Sequence, residues 1–460
     1  MNRRTARTRG PCGWAVTVLL GLLAVSLWGR AVHAADTPNF LVILADDLGI
    51  GDVSCYRTAD VHTPSIDRLA SEGMLFTTMR ANCTVCSPSR AALLTGMYAD
   101  RAGVPGVIRT HADNSWGYLD PSVPTLASRL KEAGYHTGIV GKWHLGLESP
   151  NTPTERGFDH FHGFLGDMMD SYTTHLRHGN NYMRLGTEEI HPEGHATELF
   201  TQWAIDYLGE RAASPDQPFF LYLAYNAPHF PIEPPQEWLD RVHKRQPDLD
   251  EKRARNVAFV EHFDQGVGRV LDALEGSGMA KNTVVVFTSD NGGSLPHAQN
   301  NDPWRGGKQD HYDGGLRVPF LVRWPGVIEA SSRSATVGLS FDIVPTFLEI
   351  AGCEPPSALD AVSLLPAFRG DDATGSDRAL YFTRREGGVF YGGKSYEALI
   401  LGRWKLMQNN PFSPLELYDL EADPQETTDL SQTRKDIVRQ LSEKLRHQIQ
   451  AGGRVPWQGR

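Results

Sequence analysis

Three short runs dominated by apolar residues predict buried β-strands, at residues 39–44, 218–225 and 282–288. A strand with one face in water alternates apolar and polar residues, whereas an unbroken apolar run of strand length is typical of a strand covered on both faces. The runs therefore predict the centre of a mainly parallel sheet.

Segments with helical spacing lie between and beside these strands, at residues 64–72, 123–133, 196–210 and 253–275. Such an alternation of strand and helix predicts an α/β sandwich, with helices on the faces of the sheet. We assign this large domain to residues 35–375.

The pattern changes near residue 375. Short strands are predicted at residues 379–383, 398–401 and 404–407, and an amphipathic helix at residues 433–450. Strands joined by turns indicate an antiparallel sheet. We therefore predict a small α+β domain over residues 376–460.

The first 34 residues have the pattern of a secretory signal peptide. A basic start is followed by an apolar stretch at residues 14–28 and by Val32-His33-Ala34, which resembles a cleavage site. The apolar stretch is short for a membrane span, although an uncleaved anchor is the alternative. We expect an exported protein, periplasmic or secreted, without a stable membrane span.

The formal net charge of −10 argues against nucleic acid as a partner, because binding to phosphate needs a basic surface. Removal of residues 1–34, which hold five arginines and no acidic residue, would make the chain more acidic still. Cys55, Cys83, Cys86 and Cys353 would remain. Four cysteines in a chain of this length do not form a disulfide scaffold, and we do not expect a bridge between Cys55 and Cys83.

Acidic and amide residues follow two of the predicted strands. Asp46 and Asp47 come directly after the first strand, and Asp290 and Asn291 come after the strand at 282–288. The carboxyl ends of parallel strands meet at one edge of a sheet, where ligands gather. These oxygen donors suit calcium or magnesium, although a helix cap and a tight turn are the alternative interpretations.

Cys86 begins the run Cys-Ser-Pro-Ser-Arg-Ala-Ala-Leu-Leu-Thr-Gly, residues 86–96. Ser87 is a favourable N-cap, proline at position 88 suits the first turn, and Gly96 can end a helix. Cys86 would then lie just outside a helix N-terminus, where free N–H groups favour an anion. A capped helix behind an ordinary buried cysteine is the alternative.

The same run resembles the signature C-x-P-S-R-x-x-x-x-T-G of the type I sulfatases. Other segments resemble further motifs of that family, in the same order along the chain. They are Gly141-Lys142-Trp143-His144-Leu145-Gly146, Ala227-Pro228-His229-Phe230-Pro231 and Trp304-Arg305-Gly306-Gly307-Lys308. The resemblance implies an alkaline-phosphatase-like α/β fold and hydrolysis of sulfate esters, with sulfated carbohydrates as the substrate class.

The resemblance also implies a role for each of these residues. An enzyme of the host, a formylglycine-generating or sulfatase-maturing enzyme, would oxidise Cys86 to formylglycine, whose hydrate is the nucleophile. Asp46, Asp47, Asp290 and Asn291, with the modified Cys86, would bind Ca²⁺, with Mg²⁺ less favoured. Lys142 and Lys308 would hold the sulfate and Arg90 would orient the hydrate. His229 would be the acid for the leaving alcohol and His144 the base that restores the aldehyde.

Two alternatives to a sulfatase remain at this point. One is a phosphonate or phosphate ester hydrolase with the same nucleophile, and the other is an inactive protein that binds sulfated glycans. His175, Arg177 and His178 form a polar cluster in a predicted loop, so they are candidate substrate contacts.

Residues 388–395 match the nucleotide-binding P-loop pattern, but we predict a strand rather than a helix after them, so the match lacks its required context. We interpret the segment as a glycine-rich loop from which Lys394 contacts substrate. His191 and His195 have the spacing of zinc ligands, but Pro192 and Gly194 oppose a helix there, so we predict a loop.

Overall fold

The computed structural model describes residues 37–57, 60–111, 115–371, 377–386, 395–410 and 412–453. The predicted signal peptide lies outside these residues. So does the P-loop-like segment up to and including Lys394. The described residues, from 37 to 453, belong to one compact unit. In the part of the chain that is described, no helix combines the length and the apolar character needed to cross a membrane.

The helices are α1 (Pro64–Glu72), α2 (Cys86–Thr95), α3 (Leu126–Glu132), α4 (Ala196–Ala212), α5 (Gln236–Arg245), α6 (Glu251–Gly276), α7 (Asp313–Leu316), α8 (Ile343–Ile350), α9 (Leu365–Phe368) and α10 (Lys435–Ala451). The strands are β1 (Asn39–Ala45), β2 (Met74–Phe76), β3 (Met79–Arg80), β4 (His136–Lys142), β5 (His160–Phe164), β6 (Leu176–Arg177), β7 (Asn180–Asn181), β8 (Met183–Leu185), β9 (Glu188–Glu189), β10 (Phe219–Ala224), β11 (Thr283–Ser289), β12 (Phe320–Arg323), β13 (Ser332–Ser334), β14 (Gly338–Leu339), β15 (Leu380–Arg385), β16 (Ser395–Leu401), β17 (Trp404–Gln408) and β18 (Glu416–Asp419).

A ten-stranded sheet in the order β13-β2-β12-β11-β1-β10-β4-β5-β8-β9 forms the centre of the molecule. Its middle strands, from β11 to β5, run parallel, and antiparallel strands flank them on both sides. The predicted α/β fold with a mainly parallel sheet is therefore confirmed. The three apolar runs became β1, β10 and β11, side by side at the middle of the sheet.

Alternate side chains of β1 enter two separate apolar cores. Leu41 and Ile43 belong to the core that includes residues of α1, α4, α5 and α6, and Phe40 and Val42 to the core that includes residues of α2, α3, α8 and α9. Burial on both faces explains why the strand sequence is apolar throughout rather than alternating. The same arrangement fixes the carboxyl ends of the parallel strands at one edge.

The C-terminal strands form an antiparallel sheet in the order β15-β16-β17-β18, as predicted for this part of the chain. Leu441 and Leu445 of α10 pack on it, in a core shared with Ala92 of α2 and Phe341. This sheet begins at Leu380, near the predicted boundary at 375. The division of the compact unit into two domains remains a prediction.

Candidate active site

The carboxyl edge of the parallel sheet brings together the predicted chemical groups. Asp46 follows β1, Asp290 follows β11, Lys142 ends β4 and His229 lies on the loop after β10. All four residues are buried. Residues separated by up to 244 positions in sequence thereby face one another, as expected for the edge at which ligands of α/β sheets bind.

Cys86 is the first residue of α2, and Val85 is the N-cap. The prediction that Ser87 caps the helix is wrong. The Val85 carbonyl accepts a hydrogen bond from the Ser89 N–H, so the helix starts earlier, and the Ser87 hydroxyl instead accepts from the Ile108 N–H. Cys86 therefore lies within the positive end of the helix dipole. Gly96 ends the helix in the left-handed conformation, with φ of 70°, as predicted.

The Cys86 thiol lies next to Asp46 and Asp47, two of the predicted metal ligands. Its Sγ lies 3.2 Å from Asp46 Oδ1 and 4.0 Å from Asp47 Oδ1. Burial raises the pKa of Cys86 well above its usual value, and the negative charge of Asp46 raises it further. Among the protein's own charges, the unmodified side chain is thus a neutral thiol and a poor nucleophile.

Arg90 connects the elements beneath the thiol. Its guanidinium lies 2.8 Å from Asp290 Oδ2 and 3.6 Å from Asp46 Oδ2, and it donates to the backbone carbonyl of Lys142. The side chain is completely buried. A buried guanidinium paired with carboxylates on two strands holds α2 in place against β1 and β11.

Each predicted sulfate-binding lysine pairs with one carboxylate. Lys142 Nζ lies 2.5 Å from Asp46 Oδ2, and Lys308 Nζ lies 2.7 Å from Asp47 Oδ2. Burial opposes ionisation of Asp46, but Lys142 and the other nearby cations hold its pKa well below the usual value. Each ammonium group therefore contacts one oxygen of a carboxylate whose other oxygen lies near Cys86 Sγ.

The hydrogen bonds of His229 fix its tautomer. Nδ1 lies 2.6 Å from the Phe230 carbonyl, which can only accept, so Nδ1 carries the proton. Nε2 then accepts from Lys308 Nζ at 3.0 Å. Burial and the charge of Lys308 lower the pKa of His229 to about 4, so the ring is neutral at physiological pH.

His144 has the opposite tautomer. Its Nε2 donates to the Ile108 carbonyl at 2.7 Å, and its buried Nδ1 has no partner among the described residues. Burial, followed by the charges of Lys142 and Arg90, lowers the pKa of His144 well below its usual value. The Nδ1 lone pair is thus available to accept a proton.

The donor set fits a divalent cation. Ligand atoms of Asp46, Asp47, Cys86 and His229 lie within 4.8 Å of one another. The buried Oδ1 of Asn291 has no partner among the described residues, while its Nδ2 donates to Asp47 Oδ1 at 2.8 Å. Burial and the charge of Asp46 raise the pKa of Asp290 to about 7, as expected for carboxylates that a cation would normally neutralise.

A carboxylate of the donor set and a histidine of the site have left-handed backbone conformations. Asp47 has φ of 65° and His144 has φ of 61°. Aspartate tolerates this region better than most residues, and non-glycine residues in it cluster where the surrounding structure fixes a functional geometry. The backbone N–H of Asp47 donates to Asp290 Oδ1 at 3.1 Å, which stabilises its turn.

A cavity of about 230 Å³ opens beside Cys86. It is lined by Val85, Cys86, Val107, Arg109, His144, Asp167, Met168, Arg177, His229, Phe230, Lys308, Gln309 and Arg384. Arg177, a predicted substrate contact, is among these residues. Asp167, Arg109 and Arg384 were not predicted, because they lie in segments with no recognisable motif. Asp167 follows β5 closely, but β5 was not predicted from the sequence either, so no signal placed Asp167 at this edge.

The two predicted histidine contacts are placed differently. His175 is buried and its Nε2 bonds to the Gly194 carbonyl at 2.9 Å, and it does not line the cavity, so its position favours a structural role. His178 is exposed and its ring lies 4.9 Å from that of His111. His195 caps α4 and accepts from the Thr197 N–H, which agrees with the prediction that residues 191–195 form a loop. Cys55, Cys83, Cys86 and Cys353 are free, as expected.

Comparison with known proteins identifies the same family as the motifs. A family model described as Sulfatase matches residues 38–353, and one described as N-sulphoglucosamine sulphohydrolase, C-terminal, matches residues 307–451. The chain is 34% identical to the N-acetylgalactosamine-6-sulfatase of Canis lupus familiaris, over 85% of this chain and 75% of that one.

A bacterial relative and a solved structure agree with this. The N-acetylgalactosamine-6-O-sulfatase of Bacteroides thetaiotaomicron is 28% identical over 89% of this chain and 92% of its own. The crystal structure of Ps i-CgsB in complex with k-i-k-neocarrahexaose superposes with a TM-score of 0.80 and 31% identity, over 88% of this chain and 92% of that one. With a sulfatase model matched over more than half of its length, the chain belongs to the sulfatase family and is a sulfuric ester hydrolase.

Proposed function

We propose that the protein hydrolyses sulfate esters of sulfated carbohydrates, with Cys86 oxidised to formylglycine and with Ca²⁺ bound by Asp46, Asp47, Asp290 and Asn291. The observation that carries the proposal is the position of Cys86 at the start of α2, 3.2 Å from Asp46 and flanked by two lysine–carboxylate pairs. The named substrates of the relatives, an amino sugar 6-sulfate in two of them, support the carbohydrate class.

The neutral thiol supports modification of Cys86. A hydrated aldehyde supplies a hydroxyl nucleophile and a second hydroxyl, and a bound divalent cation lowers the pKa of such a hydroxyl and neutralises sulfate oxygens. Mg²⁺ is the less favoured ion. The positive end of α2 and the lysines Lys142 and Lys308 would stabilise the negative charge of the sulfate during attack.

The two histidines divide the proton transfers in this proposal. Lys308 donates a hydrogen bond to Nε2 of His229, so a proton would pass from the Lys308 ammonium to Nε2 and from Nε2 to the leaving alcohol oxygen, after which His229 is neutral again. The partner-free Nδ1 of His144 would take a proton from the nucleophile when sulfate is released. Arg90 would hold the modified residue in position through Asp290 and Asp46.

The N-terminal pattern supports export, to the periplasm or the outside of the cell, and modification implies a maturing enzyme as a transient partner. The phosphonate or phosphate ester hydrolase is not favoured, because the relatives above are sulfatases. The inactive binder is not favoured either, because the cysteine, both lysines and both histidines are present and meet at one site.

The test is sulfate release from a panel of sulfated mono-, oligo- and polysaccharides that starts with N-acetylgalactosamine 6-sulfate. Cys86→Ala serves as the blank, and we expect it to lower turnover by about three orders of magnitude or more with its melting temperature unchanged. Mass spectrometry of the Cys86 peptide should show a loss of about 18 Da on maturation. Activity of a purified Cys86→Ala protein, or no release from any carbohydrate by the modified protein, would contradict the proposal.

A further inference from the structure

Asp167 and Arg177 form an ion pair in the wall of the cavity that contains Cys86. Asp167 follows β5, which pairs in parallel with β4, the strand that ends at Lys142. The pair therefore lies at the same edge of the sheet as the catalytic groups. It belongs to neither the metal donors nor the sulfate-binding lysines.

The pair is rigidly held. Arg177 Nε donates to Asp167 Oδ1 at 3.0 Å, and its Nη1 donates to Asp170 Oδ1 at 2.8 Å. Asp170 Oδ2 also accepts from the His178 N–H at 2.5 Å, which closes the loop on itself. The side chains of Asp167 and Arg177 are 8% and 15% exposed. A partly buried guanidinium held by two carboxylates is pre-organised for a ligand and has little side-chain entropy left to lose on binding.

Both partners keep capacity for one more hydrogen bond. Asp167 Oδ1 already accepts from Arg177 Nε and from the Met168 N–H, but the described contact of Oδ2 is a long one of 3.4 Å to Arg177 Nη2. A carboxylate oxygen has two lone pairs and a guanidinium has five N–H groups, so these contacts do not use all of them. Asp167 Oδ2 can therefore accept one more hydrogen bond, and the adjacent Arg177 Nη2 can donate one.

This combination matches a hydroxyl group, which both donates and accepts. A second sulfate or a carboxylate at the same place would lie against the negative charge of Asp167, which disfavours an anion there. We propose that the Asp167–Arg177 ion pair binds a free hydroxyl of the sugar ring that carries the sulfate and so selects the sugar. This inference rests on the proposed carbohydrate sulfatase function.

A site built to bind a hydroxyl rejects an analogue without it by as much as about 10⁴-fold, because its buried polar groups are left unpaired. The probes are N-acetylgalactosamine 6-sulfate, or the monosaccharide sulfate of the panel that is turned over fastest, with its ring-deoxy analogues and 4-nitrophenyl sulfate. The variants are Asp167→Asn and, as a matched control, Asp170→Asn. The control removes the other carboxylate partner of Arg177, which does not line the cavity.

We expect one deoxy analogue to have a kcat/KM at least about 100-fold below that of the intact sugar in the wild-type enzyme. The selectivity measured is kcat/KM for the sugar sulfate divided by kcat/KM for 4-nitrophenyl sulfate. Asp167→Asn should lower this ratio by a similar factor. It should not lower kcat/KM for the deoxy analogue any further. Asp170→Asn should change that ratio by less than about fivefold, because the cavity acceptor remains.

If Asp167→Asn lowered kcat/KM equally for the sugar sulfate and for 4-nitrophenyl sulfate, Asp167 would have a structural role and the inference would be overturned. An unchanged ratio of the two kcat/KM values in Asp167→Asn would also overturn the inference. So would a loss of kcat/KM on removal of the hydroxyl that is equal in the wild type and the variant. Either result would leave the proposed function intact. Turnover of 4-nitrophenyl sulfate without turnover of any sugar sulfate would instead remove the carbohydrate assignment, and the inference with it.

Discussion

The hydrogen bonds of single residues distinguish the two histidines of the site. His229 carries its proton on Nδ1 and accepts at Nε2 from Lys308, whereas His144 donates through Nε2 and leaves Nδ1 without a described partner. The unprotonated nitrogen is therefore Nε2 in His229, where Lys308 contacts it, and Nδ1 in His144, where no described residue does. Sequence alone gives the residue type, but the tautomer depends on carbonyls of Phe230 and Ile108 that the fold supplies.

Replacement of His229 should affect substrates according to their leaving group. His229→Gln is expected to lower kcat/KM for a sugar sulfate by about 10²–10⁴-fold, because an alkoxide must be protonated as it leaves. The loss for 4-nitrophenyl sulfate, whose phenolate leaves without help, should be less than about tenfold. Steady-state kinetics on both substrates make the measurement.

His144→Gln is the matched variant for this experiment. It should lower kcat for both substrates to one common value, since release of sulfate follows departure of the leaving group and is the same for each. Equal losses of kcat/KM for the two substrates in His229→Gln would contradict its role as the acid.

At the scale of elements, the ends of β1 and β11 and the start of α2 place several carboxylates within reach of one ion. Removal of the metal with a chelator should abolish most activity and lower the melting temperature, because Asp46, Asp47 and Asp290 then repel one another at close range. Calcium should restore both properties more fully than magnesium. Full activity and an unchanged melting temperature after exhaustive chelation would contradict the metal assignment.

The element β5 carries a histidine whose protonation opposes folding. His162 stacks on Trp203 with a centroid distance of 3.5 Å, and burial, followed by the nearby His160, lowers the pKa of His162 to about 4. Because the folded pKa is below the unfolded value, the stabilisation is complete above about pH 6.5 and is lost as the pH falls toward 4.

His162→Phe keeps the stacked ring and removes the titration. We expect the drop in unfolding free energy between pH 7.5 and 5 to be smaller than in the wild type, by about 1 kcal/mol after allowance for solvent screening. Urea denaturation at the two pH values measures it, with the exposed His447→Gln as the control. An identical drop in His162→Phe and wild type would refute the assignment.

The three central strands β1, β10 and β11 and the long helices α4 and α6 were predictable because their apolar patterns directly reflect burial, whereas β4, β5 and β12 of the same sheet were not predicted. The helix predicted at residues 64–72 is α1 to the residue, and β1 extends its predicted run by one residue. The segment between β4 and α4 was not predicted beyond its motif residues, since its strands are short and partly polar. Asp167 and the buried position of His175 depend on that segment, so the sequence revealed the catalytic centre but not the wall of its cavity.

At the scale of the molecule, a buried ion network joins the central unit to the C-terminal sheet. Lys405 of β17 is completely buried, with Nζ 3.1 Å from Asp313 Oδ1 and 2.7 Å from Glu426 Oε1. Asp313 also pairs with Arg80 of β3 and with Arg317. Asp313 follows Lys308 by five residues in the chain. The network that holds Asp313 therefore helps to fix the loop that carries Lys308.

Lys405→Met should destabilise the protein by about 3–5 kcal/mol, because it leaves the buried Glu426 carboxylate without its cation. Lys131→Met, which breaks the exposed pair with Asp159, should cost at most about 1 kcal/mol. Urea unfolding curves of both variants give the comparison. A loss of less than 1 kcal/mol in Lys405→Met would show that the network does not stabilise the fold.

The network also determines where the protein chain can be shortened. The two family models overlap over residues 307–353, and Lys308 and Asp313 lie in that overlap. A shortened chain that stops before β17 would keep every residue of the proposed active site, yet it would leave Asp313 without Lys405 and Ala92 of α2 without part of its apolar core. The C-terminal segment is therefore a part of the enzyme rather than an appendage, and fusions or tags belong after α10 rather than in place of it.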